Sequence, residues 1–371
     1  MQRIAIVNPY SAGSHAQWAS GLALSLPGAA ASAGVDLEVE VHSLPGRHWK
    51  WRMHAASLTL VERMESDGAF SRGIDIFIVT DMLDVGQFRA ALPRGHRDKP
   101  IVLYFHENQL TFPSHPDSPP KDWDRHYAFM NVTGALLADQ VWFNSEYHRR
   151  LFLEALPAFL SVFPSPRPEG ADERIRSKSS VIPIGIEQDV LDAGARGKGS
   201  VFGDGPPVVA WNHRWEYDKG PDGFLHCIDA AVAAGCEFRL AMMGQAFDRI
   251  PPAFEALRKR HADRIVLWGY LKTREEYVES LRSCDIALVT AHHDFFGISV
   301  LEAAAAGLHL LAPRALAYPE HFGSDRLHPR EELQSAFVEV LKSTPIRSVF
   351  SVAHHGWSFV AQRAWNALHS A

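Results

Sequence analysis

The segment that decides the fold is HHDFFGISVLEAAAAG, residues 292–307. It follows DIALVT, an apolar run typical of a buried strand, and it predicts a helix that begins near Gly297. The backbone amides at a helix start bind anions well. Asp294 precedes the turn and Glu302 lies about one and a half turns into the helix, so the two carboxylates can contact different parts of one ligand. A capped helix with an alanine-rich packing face would also explain this segment, and both interpretations stay open.

The same pattern of apolar run, turn and amphipathic stretch repeats along the chain. In the first half the candidate strands are RIAIVN, LEVEVHSL, IDIFIVT, IVLYFH, QVWFNS and VIPIG, with helices near 16–26, 51–64, 124–137 and 146–156. In the second half they are PVVAWN, EFRLAMMG, RIVLWG, DIALVT and LHLLAP, with helices near 222–233 and 273–282. Most of these strands are continuously apolar, as in parallel sheets covered by helices on both faces. We therefore predict an α/β protein with two doubly wound Rossmann-like domains that face each other across a crevice.

The chain is long enough, at 371 residues, for two domains. The glycine and proline density of AGARGKGSVFGDGPP predicts a linker. We predict an N-terminal domain at 1–190, a linker at 191–205 and a C-terminal domain at 206–348, followed by a terminal helix at 349–371 that packs back on the N-terminal domain. The polar stretch 163–180 is predicted to be a surface loop of the first domain.

Composition excludes several classes of protein. With 46% hydrophobic and 22% charged residues the chain is not wholly disordered, and no apolar run reaches the roughly 20 residues of a membrane span. The start MQRIAIVNPY lacks the basic and apolar regions of a secretion signal, so we expect a cytoplasmic protein. The net charge of −6 reveals no basic domain for nucleic acid. The three cysteines lack metal-cluster spacing, so no metal site is expected, and no obligatory protein partner is indicated.

Two strand ends of the first half carry candidate site residues. The turn NPYSAGSH puts Gly13 and Ser14 before a helix, where they form either a phosphate-binding turn or a plain strand-to-helix turn. The run YFHENQ puts His106, Glu107 and Asn108 directly after an apolar strand, where they are expected to face the crevice. His106 is a candidate to orient or protonate a reacting hydroxyl, and the alternative is a structural histidine that caps the strand.

The segment PGRHWKWRMH, residues 45–54, alternates aromatic rings with cations. This mixture suits an RNA or nucleotide acceptor, because rings stack on bases while cations meet phosphates. An exposed loop with two anchoring tryptophans is the alternative. Arg125, Arg149 and Arg150 would extend the patch if their segments converge on it. The residues of the segment that we assign to the acceptor are Arg47, His48, Trp49, Lys50, Trp51 and Arg52.

The second half begins with another candidate site. In NHRWEYDKG, Arg214 and Lys219 follow the first strand of that half. Two cations at one strand end can clamp a diphosphate, the arginine by forked hydrogen bonds and the lysine as a point charge. A solvated surface pair would have the same sequence.

The segment D-FFGISVL-EA resembles the pattern of retaining glycosyltransferases of the GT-B type, family 4-like. The resemblance implies that Asp294 contacts the donor sugar, that the amides of residues 297–299 hold the diphosphate and that Glu302 binds the ribose. In the family the first acid is usually glutamate, which is one methylene longer than Asp294. The donor-binding residues implied in this way are Gly13, Ser14, Arg214, Lys219, Phe296, Gly297, Ile298, Ser299 and Glu302, and the catalytic residues are His106 and Asp294.

A closer resemblance covers most of the chain. NPYSAGSHAQWASGL, LPGRHWKWRMH, TDMLD, YFHENQLTFP, HYAFMN and FNSEYHR are similar to the tRNA-queuosine mannosyltransferase family. This implies transfer of mannose from GDP-mannose to the cyclopentenediol of queuosine in tRNA, with retained configuration and no metal or permanently bound cofactor. The partners would be a nucleotide sugar and tRNA that contains queuosine. The first domain would hold the acceptor, with Glu107 and Asn108 beside residues 47–52, and the second would bind the nucleotide sugar.

Other classes share this architecture. A two-lobed binding protein would normally carry a secretion signal. A nucleotide-sugar epimerase would release a changed sugar without any acceptor. A glycosyltransferase that acts on a glycan, a lipid or a small molecule is the main alternative, and a lipid acceptor predicts an apolar or basic amphipathic face on the first domain.

Overall fold

The structure is a computed structural model that describes residues 1–113, 125–246, 250–343 and 353–369. The chain divides into two compact units. Unit 1 comprises Met1–Gly185 and Trp357–Ala371, and unit 2 comprises Ile186–Gly356. Each unit is built on a parallel β-sheet with helices in the connections, which confirms the predicted α/β class.

Unit 1 contains a sheet with the strand order β2-β1-β3-β4-β5-β6, and neighbouring strands are parallel. Strands β3 and β4 are buried along their whole length, because helices cover both faces. The strands are β1 Gln2–Ser11, β2 Leu37–Pro45, β3 Ile76–Thr80, β4 Ile101–Phe105, β5 Gln140–Phe143 and β6 Ser179–Val181. The helices are α1 Gly13–Ser32, α2 Trp49–Ser66, α3 Ala69–Arg72, α4 Val85–Ala91, α5 Arg125–Leu137, α6 Glu146–Ser161, α7 Ala171–Arg176 and, at the end of the chain, α15 Trp357–His369.

Unit 2 contains a second parallel sheet, in the order β11-β10-β7-β8-β9. Its strands are β7 Val208–Trp211, β8 Arg239–Met243, β9 Ile265–Gly269, β10 Ile286–Leu288 and β11 His309–Leu311. Its helices are α8 Gln188–Ala195, α9 Pro221–Ala233, α10 Pro252–Arg260, α11 Arg274–Arg282, α12 Ile298–Ala305, α13 Tyr318–Phe322 and α14 Leu333–Lys342. Among the residues described in both units, every helix is too short or too polar to cross a membrane.

The strand order of each sheet reverses at one point. In unit 1 the reversal lies between β1 and β3, and in unit 2 it lies between β10 and β7. Ligands of open α/β sheets bind at the carboxyl ends of the strands at such a reversal. A ligand site is therefore expected at the loops that follow β1, β3, β7 and β10.

Three sequence predictions need correction. The stretch 163–180 is not only a loop, because it contains α7, whose Ile175 is buried in the core, and the start of β6. The predicted strand VIPIG begins at Val181, the residue at which β6 ends. Helix α8 extends into the predicted linker 191–205. Asp124 and residues 349–352, predicted as helical, lie outside the described residues.

Helix α15 packs on α1 inside unit 1. The ring of Trp357 lies so close to two glycines that a Cβ on Gly21 or Gly185 would come within 2.1 Å and 2.3 Å of it. Such distances exclude any side chain at either position. These two glycines therefore form the slot that receives the ring of Trp357.

Candidate active site

The strand ends of unit 2 bring together residues from two distant segments. Strands β7 and β10 are neighbours, and the loops that follow them carry Lys219 and Asp294. The Lys219 ammonium lies 3.0 Å from Asp218 Oδ2 and 3.6 Å from Asp294 Oδ1, and it donates to the His293 carbonyl at 3.0 Å. The three acceptors surround a lysine that is only 8% exposed. Lys219 is therefore held by the protein itself.

The Lys219 and Asp294 side chains are both charged at neutral pH. Burial lowers the pKa of Lys219, but the carboxylates of Asp294 and Asp218 raise it further, and the net shift is upward. Burial raises the pKa of Asp294, but the charge of Lys219 and the hydroxyl of Tyr318, which donates to Asp294 Oδ2 at 3.1 Å, bring it below its usual range. The two groups therefore form an ion pair that persists across the physiological pH range.

Arg214, the other predicted diphosphate cation, is in a different environment. Its side chain is 47% exposed and pairs with Glu216 at 3.1 Å. Its charge lowers the pKa of Lys219, so the two cations are electrostatically coupled. Because Lys219 points at protein acceptors, Arg214 is the cation better placed to meet an incoming anion.

The start of α12 depends on a glycine. Gly297 has φ +83°, and a Cβ there would lie 2.7 Å from the ring of Tyr318. In the first turn, Ile298 and Ser299 are half-buried, and the backbone amides of these two residues have no acceptor within the helix. The Ser299 hydroxyl lies 2.6 Å from His213 Nδ1. The segment thus presents backbone donors beside the Lys219–Asp294 pair, as an anion site requires.

Phe296 immediately precedes that turn and is only 3% exposed. Its carbonyl accepts a hydrogen bond from His321 Nε2 at 2.8 Å, and its ring packs edge-on against the His321 ring. Burial lowers the pKa of His321 to about 3, so this ring is neutral. Phe296 therefore has a packing role, and its contacts with His321 hold the backbone of the turn before α12.

Glu302 is 5% exposed, and both its carboxylate oxygens have protein partners. Arg274 Nη1 lies 2.9 Å from Oε1, and the Tyr277 hydroxyl donates to Oε2 at 2.8 Å. Asn212 donates to the Tyr277 hydroxyl at 3.1 Å and to the Ser299 carbonyl at 2.7 Å, and so joins Glu302 to the start of α12. These contacts fix the orientation of the predicted ribose-binding carboxylate.

In unit 1 the predicted glycine turn and His106 come together at the end of the sheet. Gly13 has φ +49° and is exposed at the first position of α1, next to Ser14. One residue further on, the His15 ring stacks on the His106 ring with centroids 3.9 Å apart. The stacked rings therefore connect the start of α1 with His106.

His106 is only 6% exposed, yet neither Nδ1 nor Nε2 of its ring has a hydrogen-bond partner among the residues that the structure describes. Among the histidines of the described ranges, it is the only one with both ring nitrogens in this condition. Leaving a buried polar group unpaired costs about 1–3 kcal/mol. Burial, and then the nearby rings of His15 and His148, hold the pKa of His106 well below its usual value, so the ring is neutral. A neutral ring with two unsatisfied nitrogens can orient a hydroxyl group.

The basic and aromatic segment divides into exposed and anchored residues. Trp51 is 63% exposed, while the Trp49 ring packs against Tyr127 with centroids 5.2 Å apart. Lys50 Nζ lies 5.5 Å from the centroids of both of those rings. Arg47 and His48 are also exposed, and His48, whose φ is +57°, directly precedes α2. Arg52 is half-buried, and its guanidinium donates to the Pro45 carbonyl.

The remaining residues that were predicted to contact the acceptor also differ in exposure and in their hydrogen-bond or ion-pair partners. Glu107 is half-buried and accepts from Gln109 Nε2 at 3.0 Å. Asn108 is fully buried, and its side chain bonds the loop that follows, so we reassign it from acceptor contact to loop structure. Arg149 and Arg150 pair with Glu146 and Glu154 of their own helix, at 3.0 Å and 3.2 Å. The exposed end of α2 is therefore the surface that fits the predicted acceptor role.

Two protein-family models match this chain: "tRNA-queuosine alpha-mannosyltransferase N-terminal" over residues 3–186 and "Glycosyl transferases group 1" over residues 206–343. A tRNA-queuosine alpha-mannosyltransferase of Drosophila melanogaster is 30% identical over 329 residues, which are 88% of this chain and 83% of that protein. The chain belongs to the tRNA-queuosine alpha-mannosyltransferase family. It is therefore a glycosyltransferase, as the sequence predicted.

Solved structures place this family member in the GT-B fold class. Sucrose-phosphate synthase from Thermosynechococcus elongatus matches with a TM-score of 0.66 at 15% identity, over 99% of this chain and 98% of that one. HepE from Anabaena, solved in complex with UDP and glucose, matches with a TM-score of 0.62 at 15% identity, over the whole of both chains. At this identity the likeness concerns the fold, and it confirms the predicted class.

Several residues of this tRNA-queuosine alpha-mannosyltransferase family member were missed by the sequence analysis. Asp218 directly precedes Lys219, and its position beside a predicted clamp was the available signal. Arg274 and Tyr277 lie on one side of α11, three positions apart, but nothing local connects them with Glu302. Among the residues that the structure describes, no three His, Cys, Asp or Glu side chains come close enough together to hold a metal ion.

Proposed function

We propose that the enzyme transfers mannose from GDP-mannose to the cyclopentenediol of queuosine in tRNA, with retained configuration at the sugar carbon. Family membership supports the reaction class, and the name of the Drosophila relative supports the sugar and the acceptor. The observation that carries the proposal is the arrangement at the ends of β7 and β10, where a cation, two acids and a helix start converge. With tRNA as the acceptor, the enzyme acts in the cytoplasm.

Unit 2 binds the donor in this proposal. Arg214 and the first-turn amides of α12 stabilise the charge that grows on the departing diphosphate, which is usually the largest contribution to catalysis. They do so in place of a metal ion. Lys219 holds Asp294 ionised so that this carboxylate can meet the sugar, and Glu302, oriented by Arg274 and Tyr277, accepts from the ribose hydroxyls.

Unit 1 binds the acceptor. Trp51 provides a stacking surface for a base of the RNA, and Arg47 and Lys50 meet phosphates. The neutral ring of His106 orients a reacting hydroxyl through a ring nitrogen. Because its pKa is depressed, His106 acts by hydrogen bonding and does not supply a proton from an imidazolium.

The decisive experiment incubates the protein with tRNA that contains queuosine and with GDP-mannose, UDP-glucose or UDP-galactose. Mass spectrometry of the digested nucleosides should show queuosine heavier by one hexose with GDP-mannose alone, and tRNA without queuosine is the control. A mass gain with a different donor instead of GDP-mannose would refute mannose as the transferred sugar. No gain with any donor, despite measurable nucleotide-sugar binding, would refute the acceptor and point to a glycan, lipid or small molecule.

The donor role of Glu302 has its own test. Replacing Glu302→Ala should weaken GDP binding in calorimetry by about tenfold, because the variant lacks the carboxylate held for the ribose. Replacing Glu255→Ala removes an exposed carboxylate of α10, which does not contact Glu302, and should leave the affinity unchanged. Equal affinities for the two variants would contradict the assignment.

A further inference from the structure

A network of buried side chains holds the backbone of His106 from both sides. Asp81, at the end of β3, accepts the His106 backbone N–H at 2.9 Å. Asn144, at the end of β5, donates from Nδ2 to the His106 carbonyl at 2.8 Å. Both side chains are 2% exposed. The neighbouring strands β3 and β5 thus fix the peptide groups on either side of the His106 ring.

Asn144 is oriented in turn by His148, which is fully buried in α6. Asn144 Oδ1 lies 2.9 Å from His148 Nδ1, and Asn108 Nδ2 lies 2.9 Å from His148 Nε2. An amide NH₂ can only donate, so Nε2 accepts and the imidazole proton resides on Nδ1, which donates to Asn144. This orientation leaves Asn144 Nδ2 to donate to His106, so the direction of every bond in the chain is determined.

The same network continues into the loop that follows His106. Asn108 Oδ1 accepts the backbone N–H groups of Leu110 at 3.0 Å and Thr111 at 2.8 Å. Asn131 accepts the Gln109 N–H at 2.8 Å and donates to the Asp81 carbonyl at 3.0 Å. Asn108 and Asn131 are 0% and 3% exposed. The loop is therefore fixed at several successive residues.

The network satisfies the backbone of His106 and leaves its ring unsatisfied. Buried polar groups in native proteins are almost always paired, and a buried group that is left unpaired calls for an explanation. Within the described part of the chain, the atoms without a partner are Nδ1 and Nε2 of a ring that stacks on His15 and meets the edge of Trp18, with centroids 5.0 Å apart. The ring is held in place by packing, while its two nitrogens bond to no other described residue.

We propose that Asp81, Asn144 and His148 are positioning residues for glycosyl transfer, which hold the His106 backbone so that its ring nitrogens meet a substrate hydroxyl. The proposal rests on the role of His106 given under the proposed function. It differs from a purely structural role in one respect. A structural network affects only stability, whereas a positioning network also affects turnover at saturating substrate.

The test compares Asn144→Ala with Ser57→Ala. Ser57 is a buried residue of unit 1 that donates one hydrogen bond to the Asp84 carbonyl at 2.8 Å, and it is not a member of the network. Asn144→Ala should lower kcat about 10- to 100-fold while the KM for the donor stays within about twofold, because a small displacement of a reacting group costs about this much. Ser57→Ala should keep its kcat. Equal kcat values for the two variants would overturn the proposal.

A second pair keeps the proposal testable if Asn144→Ala fails to fold. Asp81→Asn retains an oxygen that can accept the His106 N–H, whereas Asp81→Ala does not. Asn at this position should preserve most of the turnover and Ala should lose it. Loss of turnover in both variants, or in neither, would contradict a role that depends on this one hydrogen bond.

A nuclear magnetic resonance measurement separates this proposal from the proposed function. The ring ¹⁵N signals of His106, assigned with His106→Gln, should move in Asn144→Ala and stay in place in Ser57→Ala. If the wild-type protein transfers no sugar to queuosine while these signals move, the proposed function fails and the positioning network stands. If the signals stay in place in both variants, the network does not position the ring.

Discussion

The polar side chains at the strand ends of the two units are held by different kinds of interaction. In unit 2 the polar groups at the ends of β7 and β10 are charged, and Lys219 lies between the carboxylates of Asp218 and Asp294. In unit 1 the groups at the ends of β3, β4 and β5 are mostly neutral, and they form directional hydrogen bonds around His106. The comparison indicates that ion pairs hold the side chains at the strand ends of unit 2, whereas directional hydrogen bonds hold the backbone of His106 in unit 1.

The difference has a physical basis. Charge interactions fall slowly with distance and tolerate small displacements, whereas a hydrogen bond weakens steeply when its angle changes. A site for a diphosphate therefore needs the right net charge, and a site that orients a hydroxyl needs a rigid frame. Even Asp81, the carboxyl group in the frame of unit 1, has its pKa raised well above the usual value, by burial and then by Glu107.

The largest expected effect is on the free energy of unfolding, and it comes from a substitution in the backbone turn beside Lys219. Gly220, next to Lys219, has φ +72°, and a Cβ there would lie 2.1 Å from the Thr290 carbonyl oxygen. Replacing Gly220→Ala should lower the free energy of unfolding by about 3–5 kcal/mol, because two backbone segments would have to separate. Urea unfolding measures this change.

Gly235→Ala is the matched control for that experiment. Gly235 has φ +73°, and its Cβ would meet nothing within 4 Å. This variant should lose only about 1 kcal/mol, the cost of a side chain at positive φ. Similar losses for both variants would show that the close approach to Thr290 does not matter.

The next effect concerns histidines kept neutral by burial, which occur in both units. Burial lowers the pKa of His213 to about 4 and that of His321 to about 3, and it holds that of His106 well below its usual value. Between about pH 6.5 and those values the unfolded chain binds more protons than the folded one, so stability falls as pH falls. His213 and His321 should each cost about 2 kcal/mol between pH 7.5 and pH 5.

Urea unfolding at pH 7.5 and at pH 5 measures this dependence. His321→Gln removes one titrating group, so its loss of stability between the two pH values should be smaller than that of the wild type. A free energy of unfolding that does not change between the two pH values would show that these rings are accessible to protons in the folded state.

A third prediction separates the two tryptophans of the acceptor segment. Trp51→Ala should weaken tRNA binding about 5- to 150-fold, the equivalent of the 1–3 kcal/mol typical of one stacked base, without changing the melting temperature. Trp49→Ala should lower the melting temperature, because its ring packs on Tyr127. Filter binding and thermal unfolding measure the two effects, and the reverse outcome would exchange the two roles.

The smallest effect is on the salt dependence of tRNA binding. Replacing Arg47 and Lys50 together with Ala should reduce the slope of log affinity against log salt by about one unit for each phosphate that the variant no longer binds. Arg149 and Arg150, which are paired with Glu146 and Glu154, are the control, and their replacement should leave the slope unchanged. An unaltered slope in the first variant would remove the end of α2 from the phosphate-binding surface.

Much of the fold could be predicted because the strands are continuous apolar runs and the turns after them carry glycine. Helix α7 was missed because ADERIR contains only two buried apolar residues, Ala171 and Ile175, which are too few for a periodic signal. Within the site, Lys219 and Asp294 could be named because they follow strands, and Glu302 because it lies in the helix that follows Asp294. Arg274 could not, since its contact with Glu302 depends on how α11 packs beside α12.

The sequence by itself determined which residues follow each strand of the two sheets, because a strand and its turn are encoded within a dozen neighbouring residues. Only the tertiary structure decided how these residues pair, that Lys219 points at Asp218 and Asp294, and that Asn144 and His148 hold His106. It also decided that Trp49 is anchored while Trp51 is exposed. The physical reason is that burial and hydrogen-bond direction arise from contacts between segments far apart in sequence, which no local pattern contains.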